Sequence, residues 1–215
     1  MHDFEYVSKN EYMPEKMKIV KLLQDVQREL NGKMNIHFEF VGSASRKMIT
    51  RDRKSNVGYD FDVNIWVDDV DQFKPKTLRL ELKKAIDKYA GGYGYSNAED
   101  STRVLTIKVK DKKKSTIKHG CDFAIIDEFE DEDGLWHQFY IKQNKTNHSY
   151  VWEERGWGFY ELPDKIDWLK DYGYWQEVRE QYIVNKNKNT NPNNKSRSVF
   201  AYTVSEVYNW YYKMD

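Results

Sequence analysis

Two aspartates one residue apart, Asp60 and Asp62, lie within Tyr59-Asp60-Phe61-Asp62-Val63-Asn64-Ile65-Trp66-Val67, where every odd position is apolar. That alternation predicts a strand, and residues i and i+2 of a strand point to one face. The two carboxylates therefore sit side by side. Ionised carboxylates that close together repel, and each holds its proton more tightly unless a positive charge stands between them. A divalent cation is the usual solution, and Mg²⁺ favours one or two carboxylates completed by phosphate oxygens. The spacing alone is weak evidence. Asp69-Val70-Asp71 and Asp131-Glu132-Asp133 share it within acidic, turn-like segments, and an isolated Asp-x-Asp reads as one acidic face of a surface strand.

The surroundings of the pair change that balance. An earlier alternating segment, residues 35–41, ends in Val41-Gly42-Ser43, and a later apolar strand at 120–126 carries a lone Asp122 between Cys121 and Phe123. A carboxylate in such an apolar strand needs a partner or a metal. Glycine lets the backbone approach a phosphate closely, and the Ser43 hydroxyl with neighbouring N–H groups can bind phosphate oxygens.

The elements that must position these residues follow from periodicity and punctuation. Residues 14–31 read as a helix, with Pro14 at its first position, Met17, Val20, Leu23, Val26 and Leu30 on one face, and Asn31-Gly32 as its stop. A second helix is expected over 76–89, ended by Gly91-Gly92. Strands are expected at 35–41, 59–67, 103–109 and 120–126, with a weaker hairpin through 136–141 and 149–152. The acidic run 127–133 reads as a solvated turn. Residues 162–182 read as a helix interrupted at Gly173, 186–194 as a polar Asn/Lys loop, and 200–212 as an aromatic-rich helix. This order indicates an α+β (mixed α/β) protein, organised as a domain over 1–145 and a mostly helical lobe over 146–215.

Strand, Gly-Ser, spacer, Asp-x-Asp and a later strand-borne Asp together resemble the signature of the DNA polymerase β-like nucleotidyltransferase superfamily, over about 36–126. The look is closest to small bacterial nucleotidyltransferase-domain proteins. The resemblance implies a central mixed sheet flanked by helices with a short C-terminal helical lobe. It implies Gly42 and Ser43 as a phosphate-binding turn, and Asp60, Asp62 and Asp122 as catalytic metal ligands for two Mg²⁺ (or Mn²⁺) ions. It also implies transfer of a nucleoside monophosphate from an NTP, ATP first, to an acceptor hydroxyl with release of pyrophosphate. The acceptor stays open among RNA, a nucleotide, a protein and a small molecule. Sixteen residues separate Ser43 from Asp60, a spacing similar to branches with an extended loop. The alternative is a catalytically silent module of this fold that binds RNA or a protein partner.

Other residues have two readings each. Arg46 and Lys47 follow the Gly-Ser turn and either reach phosphates or form a solvated basic face. Arg103 either pairs with Asp122 or steers phosphate. Lys195 and Ser198 open the last helix, where relatives place triphosphate contacts, while Ser196 or Ser198 equally suits an N-cap. Tyr202 is a candidate for stacking on a base. His37, His119, His137 and His148 lack metal-ligand spacing, and Cys121 reads as a small buried residue.

Composition bounds these readings. The chain has 215 residues, 35 Lys+Arg against 35 Asp+Glu, and 15% aromatic residues, with a mean hydropathy of −0.92. The aromatic content supports a packed core rather than disorder. No apolar run reaches the roughly 20 residues of a membrane span, and the acidic start carries no signal-like segment, so a cytoplasmic protein is expected. Zero net charge argues against a passive nucleic-acid coat. The charge is nonetheless segregated: residues 46–54 hold five cationic groups against Asp52 alone, and 108–118 hold six lysines against Asp111. Such basic segments around an acidic centre suit a triphosphate.

Overall fold

The computed structural model describes residues 2–156 and 161–212, in two compact units. One comprises Val7–Ile49 and Asn56–Arg155. The other comprises Met1–Tyr6, Thr50–Ser55 and Gly156–Asp215. The sheet unit contains helix α1 (Lys9–Leu30), strand β2 (Ile36–Val41), a one-turn helix α2 (Gly42–Ser45), β4 (Val57–Val67), α3 (Pro75–Ala90), β5 (Glu99–Asp100), β6 (Leu105–Asp111), β7 (Thr116–Glu130), β8 (Trp136–Asn144) and β9 (Ser149–Glu154). Short strands β1 (Phe4–Tyr6) and β3 (Thr50–Asp52) belong to the other unit, with α4 (Glu161–Asp171), α5 (Trp175–Lys188) and α6 (Ser196–Tyr212).

The sheet is mixed, in the order β2-β4-β7-β6-β5, with β8 and β9 extending from the far end of β7. Only β4 and β7 run parallel; the other pairs are antiparallel. One face is apolar. Tyr59, Phe61, Val63 and Ile65 of β4, Cys121, Phe123 and Ile125 of β7, and Leu105 and Ile107 of β6 pack in one core with Ile19, Leu22, Leu23, Val26 and Leu30 of α1 and Leu78, Leu82, Ala85 and Ile86 of α3. This is the expected mixed α+β architecture. With both helices on one face, the alternate residues Asp60, Asp62 and Asp122 take the other. At Gly58 the β4 and β7 backbones come so close that a Cβ would lie 1.8 Å from the Lys118 carbonyl oxygen, so glycine is obligatory there.

Several expectations need correcting. Helix α1 starts at Lys9, not Pro14, because the Ser8 hydroxyl accepts a hydrogen bond from the Glu11 N–H (3.3 Å) and sets the start. Ser8-x-x-Glu11 is the capping signal that the reading passes over. The buried stripe consequently runs through Ile19 and Leu22, while Met17 is exposed. The acidic run is not all turn: β7 continues to Glu130, paired with β8 from Ile126↔Tyr140 to Glu130↔Trp136. Its acids are held individually, Glu128 by the Trp66 indole N–H (3.1 Å) and Asp131 by His137 (2.8 Å). Among the described residues, no helix is long and apolar enough to cross a membrane.

In the helical unit, β1 pairs antiparallel with β3. Arg51 binds Glu5 (2.8 Å) and Arg53 binds Asp3 (3.0 Å), so these two cations of the 46–54 run are matched within their own unit. Lys186 of α5 is buried, donates to Thr50 Oγ1 (2.7 Å) and lies 3.9 Å from the Phe4 ring centroid. Gly173, at φ +82°, separates α4 from α5 as expected. The polar loop is shorter than expected, since α5 runs on to Lys188 and α6 starts at Ser196.

One buried cation fastens the sheet unit. Arg79 of α3 is fully buried and binds Asp100 Oδ1 through Nε (2.9 Å), the Ser101 carbonyl (2.8 Å) and the Arg103 carbonyl (3.1 Å). Asp100 accepts a further bond from the Tyr150 hydroxyl (2.8 Å). The 99–103 segment, α3 and β9 thus share one network. Removing the guanidinium leaves Asp100 and two carbonyls without their donor, which costs about 3–5 kcal/mol for a buried pair. Arg79→Ala should therefore lower the urea midpoint sharply, and Arg79→Lys should recover only part of it, because an ammonium cannot reproduce the planar fork.

Candidate active site

The sheet register builds the site. Asp62 lies opposite Asp122 across the parallel β4–β7 pair, Val41 lies opposite Asp62 on β2, and Thr106 lies opposite Asp122 on β6. Val41, Asp62, Asp122 and Thr106 thus form one row across four strands. Asp60 sits two residues back along β4, opposite Gly120. The three aspartates expected from sequence occupy one face, Asp62 and Asp122 half-buried and Asp60 exposed.

Two glycines make room for them. A Cβ on Gly42 would stand 2.6 Å from Asp62 Oδ2, and one on Gly120 would stand 2.5 Å from Asp60 Oδ1. Gly42 also has φ +63°, which favours glycine independently. The Gly-Ser segment forms the helical turn α2 directly after β2, closed by the Ser45 hydroxyl and the Arg46 N–H on the Gly42 carbonyl (3.0 and 3.4 Å) and by Met48 N–H on the Ser43 carbonyl (2.8 Å). The turn places Ser43 next to the glycine that abuts Asp62.

Burial is the main cause of the site's electrostatics. It pushes the Asp62 carboxyl up to about 6, reinforced by the charges of Asp122 and Asp60 and opposed by Arg46 and Arg155. Burial raises Asp122 too, while a hydrogen bond from Thr106 Oγ1 to Oδ1 (2.5 Å) and the charge of Lys108 act against it. Cys121, on the core face beside Asp122, is fully buried and its thiol is pushed up, mainly by burial, as suits a packing residue.

Among the described residues, no three His, Cys, Asp or Glu side chains close into a metal cage. The arrangement is an open row of carboxylates with like charges in register. That donor chemistry fits a hard divalent cation whose remaining positions are filled by a bound anion or water.

The other expected residues are placed as follows. Arg46, half-buried, ends the α2 turn and its charge acts on Asp62. Lys47 is exposed, with φ +57°. Arg103 does not pair with Asp122; it lies 3.6 Å from Glu153 and over the Tyr140 ring, and Asp122 takes its bond from Thr106. Lys195, Ser198 and Tyr202 lie in the helical unit. There the Lys195 carbonyl accepts the Val199 N–H (3.1 Å), so Lys195 occupies the cap position of α6 and neither Ser196 nor Ser198 does. Ser196 instead accepts a bond from Lys186 (3.2 Å). Ser198 is exposed, and the exposed Tyr202 donates to Glu206 (3.2 Å).

Sequence reasoning misses Gly120, Thr106 and Arg155. A glycine inside an apolar strand is itself a sign of close approach, so Gly120 was legible beside Asp122. Thr106 reaches the row through sheet register, Arg155 acts on Asp62 from just beyond β9, and neither has a local signal.

An Asp whose native form holds its proton up to about 6, against roughly 4 unfolded, favours the native state at low pH. That contribution is lost as pH rises between the two values, about 3 kcal/mol in all. Asp62→Asn should flatten this fall. The variant should be more stable than wild type at about pH 7.5 and close to it at about pH 4, as measured by urea unfolding without divalent cation.

No family model matches the sequence, and no curated protein matches it. Solved structures do match the fold. Vibrio cholerae DncV in its 3′-deoxy ATP-bound form aligns at TM-score 0.57 and 16% identity, covering 94% of this chain and 53% of that one. The same protein, a cyclic AMP-GMP synthase, in complex with the linear intermediate pppA(3′,5′)pG aligns at TM-score 0.55 and 14% identity, covering 90% and 53%. Elizabethkingia meningoseptica CdnE, a cyclic dinucleotide synthase with GTP and Apcpp, aligns at 0.53 and 10%, covering 90% and 69%. The chain therefore spans about half the length of DncV. The likeness is one of architecture: this chain has the mixed-sheet nucleotidyltransferase fold of the cyclic dinucleotide synthases.

Proposed function

We propose that this protein is a metal-dependent nucleotidyltransferase that moves a nucleoside monophosphate from an NTP to an acceptor hydroxyl with release of pyrophosphate. The observation that carries the proposal is the register of Asp62 against Asp122 on parallel strands, with Asp60 on the same face and Gly42-Ser43 abutting Asp62. A structural protein gains nothing from aligning carboxylates so that burial and mutual repulsion raise their proton affinity. A site that receives a polyphosphate with its cations does. The fold neighbours holding ATP and GTP analogues support an NTP as substrate.

The reading assigns each residue a role. Asp60, Asp62 and Asp122 would hold two Mg²⁺ or Mn²⁺ ions, which when bound supply charge neutralisation of the triphosphate and activation of the acceptor hydroxyl. Gly42 lets phosphate approach the backbone, and Ser43 offers a hydroxyl and an N–H beside it. Arg46 and Arg155, whose charges already act on Asp62, would draw and orient the phosphate chain. For Lys195, Ser198 and Tyr202 of the helical lobe, over 146–215 in this reading, contact with the triphosphate or the base rests on the resemblance alone. ATP is the first donor to test. The fold neighbours are dinucleotide synthases, so a second nucleotide is the first acceptor to test, ahead of RNA, protein and small molecules.

Purified protein incubated with each labelled NTP, singly and in pairs, with Mg²⁺ or Mn²⁺, should release pyrophosphate and form a nucleotidylated product. Asp60→Asn, Asp62→Asn and Asp122→Asn should each reduce turnover by at least about 10²–10³-fold, in the range seen when an electrostatic element of a transition state is removed, while circular dichroism stays native. Full turnover by Asp122→Asn would refute the assignment. Absence of metal-dependent NTP binding in wild type would support the silent binding module instead.

A further inference from the structure

Asp122 has a neighbour on each side, and the two act in opposite senses. Asp62 on β4 repels it. Thr106 on β6 binds it, with Oγ1 donating to Oδ1 at 2.5 Å. The strand order β4-β7-β6 puts donor and repeller on opposite flanks of the carboxylate. Thr106 thus engages one of the two Asp122 oxygens, Oδ1, from the β6 flank. The hydroxyl comes from a half-buried residue of a β-branched type, whose χ1 is restricted in a strand. The row continues regularly around it: Leu105 and Ile107, its neighbours on β6, are fully buried in the core on the opposite face, and their packing holds the backbone that carries Thr106.

We infer that Thr106 is a positioning residue that fixes the rotation of the Asp122 carboxylate through Oδ1. The inference rests on the nucleotidyl-transfer reading above and extends it to a residue outside the carboxylate set, acting through Asp122. Groups that orient a ligating carboxylate typically matter about 10- to 100-fold when removed. Thr106 acts on the geometry of a reacting carboxylate rather than on nucleotide binding, so its loss belongs in kcat and leaves KM little changed.

The test compares wild type, Thr106→Val, which keeps the shape and removes the donor, and Thr106→Ser, which keeps the donor. Steady-state turnover of the NTP accepted by wild type is read with the urea midpoint of each variant. The expected result is a fall in kcat of roughly 10- to 100-fold for Thr106→Val, an NTP KM within about twofold of wild type, and recovery of most of kcat in Thr106→Ser. Should the valine variant not fold, Thr106→Cys takes its place, with a weaker donor at the same point and the same expected order. Equal turnover by wild type and the donor-less variant would overturn the positioning role alone. So would a serine variant as impaired as valine, with losses that track the urea midpoint, since that is packing. A wild type that shows no metal-dependent turnover would overturn the nucleotidyl-transfer reading, and this role with it.

Discussion

Two carboxylates placed in register on adjacent parallel strands repel at close range, and the structure around them answers that repulsion. Asp62 and Asp122 face each other because β4 and β7 are parallel with Asp62 opposite Asp122. Burial deepens the conflict by stripping solvent from both. Thr106, Lys108, Arg46 and Arg155 offset it from the flanks. The offset is partial: the carboxyls of Asp62 and Asp122 both stay above the ordinary carboxylate range. A fully neutralised row would be a structural salt bridge and nothing more.

The other features of the sheet unit serve the placement of that row. The helices α1 and α3 pack on one face, and Asp60, Asp62 and Asp122 take the other. Gly58 brings the two strands close, Gly120 accommodates the Asp60 carboxylate and Gly42 the Asp62 carboxylate. The buried Arg79–Asp100 pair secures the segment leading into β6, the strand that supplies Thr106. Rigidity is the common outcome, and a site whose groups must not relax toward each other requires it.

Much of the site was legible in the sequence because its information is local. Alternation put Asp60 and Asp62 on one face, and the apolar neighbours of Asp122 marked it as a carboxylate in need of a partner. What escaped is non-local. Thr106 becomes a neighbour of the row through strand order, and Arg155 acts on it from just beyond β9; periodicity encodes neither. Arg103 illustrates the same limit in reverse: it stands near Asp122 in chain order of strands, yet its guanidinium lies with Glu153 and Tyr140. The pairing of β1 with β3 joins segments some 45 residues apart, and so the cationic run at 46–54 looked more open than it is. The start of α1 and the length of β7 were missed for a different reason. Ser8-x-x-Glu11 outweighed Pro14 as a start signal, and cross-strand pairing to β8 outweighed the density of acids beyond residue 126.

The length of β7 has a consequence of its own. From Ile117 to Phe123 the strand is paired on both flanks, to β4 and to β6, whereas from Ile126 onward its pairing is to β8. Amides in the doubly paired stretch open only with the whole unit, while the hairpin can fray by itself. Asp122 lies in the protected stretch. Motion confined to the tip of the β7–β8 hairpin, beyond the Glu130↔Trp136 pair, therefore lies outside the stretch that carries Asp122. The fold separates a part of the chain that can fray from the part that carries the row.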